Sequence, residues 1–187
     1  MQIAFYGIAR QIGTSANMAA VAAGFTQYMK MPVTWNWDRE HSSMNKHVVC
    51  LSDCKNKLQK EQINHCSLLV LNLILPQSGM EKIFLEHSFV HRNVVFLIGK
   101  YHPNQSKELE QVVLKYRIDD SRICTIPYNI RFQKAYENGT VLDYIRSCRK
   151  TGRSCEDFLF EKHLKQVIKK ILIYGTGKGE QNYGWNF

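Results

Sequence analysis

Three consecutive residues near the start of the chain, Gly13-Thr14-Ser15, could bind a phosphate group. They follow an apolar, strand-like segment from Gln2 to Gly7 and precede a segment rich in alanine. A phosphate-binding loop has this layout, because its backbone N–H groups surround the phosphates and it closes with Gly-Lys-Ser/Thr at a helix N-terminus, whose dipole favours anions. The spacing therefore indicates a nucleotide-binding loop.

The lysine of such a loop is missing here. Alignment on Gly13 puts Thr14 at the lysine position and Ser15 at the position of the hydroxyl that binds magnesium. We expect phosphate contacts from these three residues together with Arg10 and Gln11, and Arg10 is the only cation of the loop. The alternative interpretation is that residues 2–24 form only the first strand and helix of an α/β sheet.

Length and composition limit the class of protein. A chain of 187 residues with 44% hydrophobic and 22% charged residues fits one domain with a substantial core. No apolar run reaches about 18 residues, the length expected of a transmembrane helix, and the first residues do not have the pattern of a signal peptide. We therefore expect a cytoplasmic protein, with peripheral association to the membrane or nucleoid as an option.

The formal net charge is +9, and such an excess favours anionic partners. Lysines 55, 57 and 60 form one cationic group. The second group, here named the C-terminal basic cluster, comprises Arg146, Arg149, Lys150, Arg153, Lys162, Lys165, Lys169 and Lys170. These side chains could be solvated helix faces, or they could bind DNA or an anionic membrane surface.

Strand-like and helix-like segments alternate along the chain. The predicted strands cover residues 2–7, 33–38, 47–53, 67–75, 93–99 and 121–126, and the predicted helices cover residues 15–30, 79–90, 106–117, 132–137, 140–149 and 155–173. Ser15 or Thr14 is the expected N-cap of the first helix. Alternation of this kind predicts parallel pairing and an α/β, three-layer, doubly wound domain over residues 1–173, followed by a glycine-rich tail over residues 174–187. Ligands bind beyond the carboxyl ends of the strands in such a sheet. Loops 8–14, 99–103 and 127–131 should meet there.

Four segments, in their order along the chain, resemble the MinD/ParA family of P-loop ATPases, whose members include the pilus-localisation protein TadZ. They are the segment from residue 3 through Gly13, the strand with its proline-containing loop at 67–78, the strand at 94–103, and residues 117–129 with their Ile-Pro turn. The resemblance implies a P-loop NTPase-like fold, ATP or ADP with Mg²⁺ as cofactor, a homodimer, and a role in localising a protein partner in a bacterial cell.

The resemblance also implies roles for individual residues. Ser15 would hold magnesium, Asp53 would stand for the acid at the end of the second hydrophobic strand, Asp38 would help to position the attacking water, and Pro127 and Tyr128 would lie beside the base. Asp38 and Asp53 could equally be ordinary acids at strand ends.

The family's form of the loop has a second lysine near its start, where this chain has Ala9. Because both lysines are absent, we expect weak or absent ATPase activity, that of a pseudo-ATPase serving as a dimerising adaptor. The alternative function is an interaction domain that binds no nucleotide and contacts DNA or an anionic membrane through its basic C-terminal helix.

Overall fold

The structure, a computed structural model, describes residues 1–8, 11–35, 49–53, 63, 65–75 and 93–177, with the side chains of residues 35, 50, 52 and 53 left out. The strands are β1 (Gln2–Gly7), β2 (Val33–Trp35), β3 (Val49–Asp53), β4 (Leu68–Leu73), β5 (Val94–Tyr101) and β6 (Ile123–Pro127). The helices are α1 (Thr14–Tyr28), α2 (Ser106–Tyr116), α3 (Ile130–Glu137), α4 (Val141–Ser147) and α5 (Cys155–Thr176), with short 3₁₀ turns at Pro103–Gln105 and Asp120–Arg122.

The strands form a six-stranded sheet in the order β2-β3-β1-β4-β5-β6, and each of its pairings is parallel. Every residue of β4 is buried. A strand that is apolar on both faces needs cover on both, which fits the place of β4 inside this parallel sheet. The α/β class and the parallel sheet with its helices are confirmed.

Side chains from the two faces of the sheet enter two separate apolar clusters. Phe5 and Val70 belong to the cluster that includes residues of α1, α4 and α5. Leu69 and Leu71 belong to the other, against which Leu109 of α2 packs. Successive residues of one strand point to opposite faces, so β4 contributes to both clusters.

Two of the differences between the predicted and the observed helix bounds have a clear structural reason. Helix α1 begins at Thr14, and its N-cap is Gly13 in the left-handed conformation, with φ of 84°, rather than a hydroxyl residue at 14 or 15. Helix α5 runs beyond residue 173 to Thr176, because Tyr174 is held by a 2.6 Å hydrogen bond between its hydroxyl and Ser121 Oγ and by the Arg122 guanidinium stacked on its ring.

Several predicted segments lie outside the described residues. They are the predicted helix at 79–90, residues 36–38 and 47–48 of two predicted strands, and residues 178–187 of the predicted tail. Among the described helices, none has the length and apolarity needed to cross a membrane.

Helix α5 is joined to the edge strand β6 by a polar contact. His163 Nδ1 lies 2.6 Å from Thr125 Oγ1, and the ring is half-buried. Burial, together with the charge of Lys162, lowers the pKa of His163 below its ordinary value near 6.5, against the opposing effect of the hydrogen bond with Thr125. The folded protein therefore holds this imidazole neutral at a pH where the unfolded chain begins to protonate it.

A depressed histidine pKa makes folding stability depend on pH. The unfolded chain binds more protons than the folded one below about pH 6.5, so the free energy of unfolding should fall as the pH drops through that range, by at most about 1.4 kcal/mol per pH unit for one group. Urea unfolding at pH 8.0 and pH 5.5 should show a smaller loss in His163→Gln than in the unmodified protein. His65→Gln, at an exposed position, serves as control, and an equal loss in all three proteins would contradict this role of His163.

Candidate functional site

The sheet changes its direction of winding between β1 and β4. These strands are neighbours, but the chain leaves β1 towards the side of β2 and β3 and leaves β4 towards the side of β5 and β6. Connections that depart in opposite directions open a crevice beyond the carboxyl ends of the two strands, where α/β sheets bind ligands. The loop after β1 ends at Gly13 and lies at this edge.

A buried pair of amides fixes the first turn of α1 against β4. Asn17 Nδ2 donates a 3.1 Å hydrogen bond to Asn72 Oδ1, and the two residues are 5% and 0% exposed. The backbone N–H of Ile8 also donates to the carbonyl of Asn72, at 3.4 Å. Buried amides are stable only when they are hydrogen-bonded, so this pairing sets the position of α1 and of the loop before it.

Among the described residues, no side chain caps the N-terminus of α1. Gly13 accepts the first helical hydrogen bond, from Asn17 N at 2.9 Å, and the first turn of the helix has no acidic residue. The positive end of the helix dipole is therefore not offset by a charge of its own helix.

Strand β5 brings a lysine to this loop. Its pairing with β6 is irregular between Ile98 and Tyr101, and Lys100 has a φ of 51°, which is uncommon for a residue other than glycine. Gly99 is required next to it, because a Cβ there would lie 2.6 Å from Asn17 Nδ2. The Lys100 Cε lies 3.9 Å from where a Cβ on Gly13 would be.

A cavity of about 220 Å³ lies at this lysine and joins four parts of the chain. Its lining comprises Gly13, Ala16 and Asn17 of the loop and α1, Lys100 of β5, residues 126–129 of β6 and its following loop, and Phe132, Gln133, Tyr136 and Glu137 of α3. The lining thus combines apolar surface with a cation, an anion and three side-chain amides. Pockets that bind small molecules have this mixed composition.

Tyr128 forms one wall of the cavity. Its hydroxyl donates to Gln133 Oε1 at 3.2 Å, its backbone N–H donates to the carbonyl of Tyr101 at 3.0 Å, and its ring centroid lies 5.6 Å from that of His102. The side chain is 40% exposed, so its ring keeps a surface on which a planar ligand can stack.

The loop after β6 is held from below by Asp157, near the start of α5. This side chain is 3% exposed, forms an ion pair with Arg131, and accepts hydrogen bonds from Asn129 Nδ2 at 3.2 Å and from Tyr144 hydroxyl at 3.0 Å. Asn129 in turn caps α3, because its Oδ1 accepts from Phe132 N at 2.9 Å. The carboxylate therefore fixes where α3 begins.

The same contacts keep this carboxylate charged. Burial by itself raises its pKa, but the hydrogen bonds from Asn129 and Tyr144 and the nearby Arg131 charge outweigh burial and hold the pKa of Asp157 below its ordinary value. Asp157 was not among the residues predicted from the sequence. The available signal was the spacing Ser154-x-x-Asp157, a capping-box pattern, and Ser154 does accept a hydrogen bond from Asp157 N.

The structure brings three of the predicted binding residues into one cavity: Gly13, Pro127 and Tyr128. Gln11, Thr14 and Ser15 do not line it. Thr14 is buried, with 8% exposure, whereas a lysine at that position of a phosphate loop would have to reach the ligand.

The structure does not describe the side chains of the two predicted acids, Asp38 and Asp53, or of Arg10. Arg10 and Asp38 lie outside the described residues. Asp53 ends β3 with its backbone paired to Phe5 of β1, so the backbone of this residue lies at the carboxyl edge, and its side chain is not described.

Much of the C-terminal basic cluster makes contacts within the chain. Arg153 and Lys165 pair with the buried Glu161. Lys170 donates to the carbonyls of Asp120 and Ile123, at 3.1 and 2.6 Å. These cations therefore contribute less to an outward positive surface than the sequence suggests, and lysines 55, 57 and 60 lie outside the described residues.

Comparison with known proteins does not assign the site. No protein-family model matches the chain, and no curated protein matches it. Within the described ranges, no three histidine, cysteine, aspartate or glutamate side chains group as they would around a metal ion.

The Asp157 network yields a stability prediction. Asp157→Ala leaves the buried Tyr144 hydroxyl and the Asn129 amide without their acceptor, so it should lower the free energy of unfolding by about 3 kcal/mol. Asp143→Ala, the control, removes an exposed carboxylate paired with Arg146 at 3.2 Å and should cost less than about 1 kcal/mol. Urea denaturation of both variants measures the difference, and similar losses would show that Asp157 does not anchor this loop.

Proposed function

We propose that this chain is a nucleotide-binding protein of the P-loop type, built as a three-layer, doubly wound domain, with weak or absent ATPase activity. One observation carries the proposal: a single cavity joins Gly13, at the start of α1, to Pro127, which ends β6, and to Tyr128, which follows it. The resemblance to MinD/ParA proteins assigns these two places to the phosphates and to the base. Residues that are far apart in the sequence thus line one cavity, and this supports a nucleotide site.

Weak turnover follows from the charges that are missing from the loop. Phosphoryl transfer depends on positioning and on stabilising charge that develops on the phosphate oxygens. The loop has threonine in place of lysine at position 14, and that threonine is buried. Loss of one such electrostatic group typically costs about 3 kcal/mol at the transition state, so binding survives more readily than rapid hydrolysis.

A protein that binds ATP or ADP with Mg²⁺ and hydrolyses it slowly suits a dimerising adaptor that localises a protein partner, the role that the family resemblance suggests. The net charge of +9 supports the second candidate, a domain that contacts DNA or an anionic membrane through its basic C-terminal helix. The internal contacts of Arg153, Lys165 and Lys170 weigh against that candidate. Nucleotide binding is therefore the function that we favour.

Titration with fluorescent ATP and ADP analogues in the presence of Mg²⁺ tests this proposal. Saturable binding is expected, and Tyr128→Ala should weaken it by about tenfold, because base stacking on an aromatic side chain contributes about 1–3 kcal/mol. Leu114→Ala serves as control, since it removes an exposed apolar side chain on α2, outside this cavity.

The outcomes separate the two candidates. No saturation up to millimolar nucleotide would reject the nucleotide proposal. If the protein binds no nucleotide but retains duplex DNA, or vesicles containing phosphatidylserine, in a salt-dependent way, the interaction domain is favoured instead.

A further inference from the structure

Lys100 is a cation that stands beside the loop without belonging to it. We infer that this lysine, carried by β5, supplies the positive charge that the loop's own residues lack, and that the ligand is a nucleoside phosphate whose phosphate end lies at Lys100 and the start of α1. The inference rests on the proposed function and adds to it the cation and the orientation of the ligand.

The position of the ammonium group follows from the backbone. The bulge in β5 and the left-handed conformation of Lys100 turn its side chain towards Gly13, and the Lys100 Cε reaches within 3.9 Å of the Cβ position there. The ammonium is one bond beyond this carbon. A side chain carried by β5 therefore ends near the N-terminus of α1.

The charge of Lys100 is available to a ligand. Its side chain is exposed, and within the part of the chain that the structure describes no hydrogen bond or ion pair engages its ammonium. Other lysines differ: Lys165 pairs with Glu161 at 3.1 Å, and Lys170 donates to two backbone carbonyls. An ammonium and an uncapped helix N-terminus at one end of a cavity both favour an anion.

Two further polar groups give the cavity a direction. Glu137 lines the α3 side, where Gln133 Nε2 donates to its carboxylate at 3.0 Å. Asn17 is only 5% exposed and lines the α1 side, and no described residue donates a hydrogen bond to its Oδ1. Acceptors at these places suit hydroxyl or amino donors. The ligand is thus expected to be anionic at one end and rich in hydrogen-bond donors elsewhere, as a nucleoside phosphate is.

The size of the cavity limits how much of the ligand it encloses. Its volume of about 220 Å³ is smaller than the roughly 300–1,000 Å³ of most small-molecule sites. The cavity would enclose only part of a nucleoside triphosphate, so the phosphate contacts should contribute a large share of the affinity.

A series of ligands with increasing phosphate number tests the inference. Isothermal titration calorimetry with adenosine, AMP, ADP, ATP and inorganic pyrophosphate, each with Mg²⁺, is compared in the unmodified protein, Lys100→Met and Lys107→Met. Lys107 is an exposed lysine on α2 that does not line the cavity. Lys100→Met should weaken ADP and ATP at least about tenfold, leave adenosine unchanged and reduce the salt dependence of ATP binding, whereas Lys107→Met should have no effect.

The possible results distinguish the role of Lys100 from nucleotide binding itself. Equal ATP affinity in the unmodified protein and Lys100→Met would overturn the role of Lys100 while leaving nucleotide binding intact. Binding of pyrophosphate that requires Lys100, without binding of any adenine compound, would support the anion site and reject the nucleotide proposal. No binding of any member of the series would overturn both. Circular dichroism and thermal unfolding of both variants, expected to match the unmodified protein, exclude loss of folding as the cause.

Discussion

The arrangement of the site depends on one buried hydrogen bond, that between Asn17 and Asn72. An amide inside an apolar core costs about 1–3 kcal/mol when it is unpaired, so each asparagine demands the other at one position. The pairing fixes the first turn of α1 on β4, and Gly99 is the neighbour that leaves room for it. The approach of β5 to Gly13 follows from that fit.

A second buried group, the Asp157 carboxylate, holds the opposite wall. It ties α5 to α4 through Tyr144 and to the loop after β6 through Asn129. The Asn17–Asn72 pair and the Asp157 carboxylate are alike in position, since each lies under a loop at the carboxyl edge of the sheet and each is surrounded by apolar packing. The walls of the cavity are thereby set by buried contacts, and its exposed side chains are left to contact a ligand.

The sequence predicted the individual strands and helices better than the contacts between them. The apolar runs that became β4 and β5 are recognisable because both faces of each strand are covered. The helical period likewise located α2 and α5. The local sequence pattern does not determine which strands are adjacent in the sheet. The sequence therefore could not show that Lys100 lies close to Gly13. The N-cap prediction failed because a left-handed glycine, rather than a hydroxyl side chain, starts α1. Asp157 was not predicted, because its partners Asn129 and Tyr144 lie on other elements of the chain.

The bulge that presents Lys100 also determines what such a lysine can do. A cation in a flexible loop can follow a phosphate group as its geometry changes during reaction, whereas the backbone that carries Lys100 is held between Ile98 and Tyr101, which both pair with β6. Held in that way, in the proposed site, the lysine would attract the ground state and the transition state about equally. Uniform binding of this kind raises affinity without accelerating chemistry. A charge held on a strand therefore suits a protein that binds a nucleotide better than one that hydrolyses it.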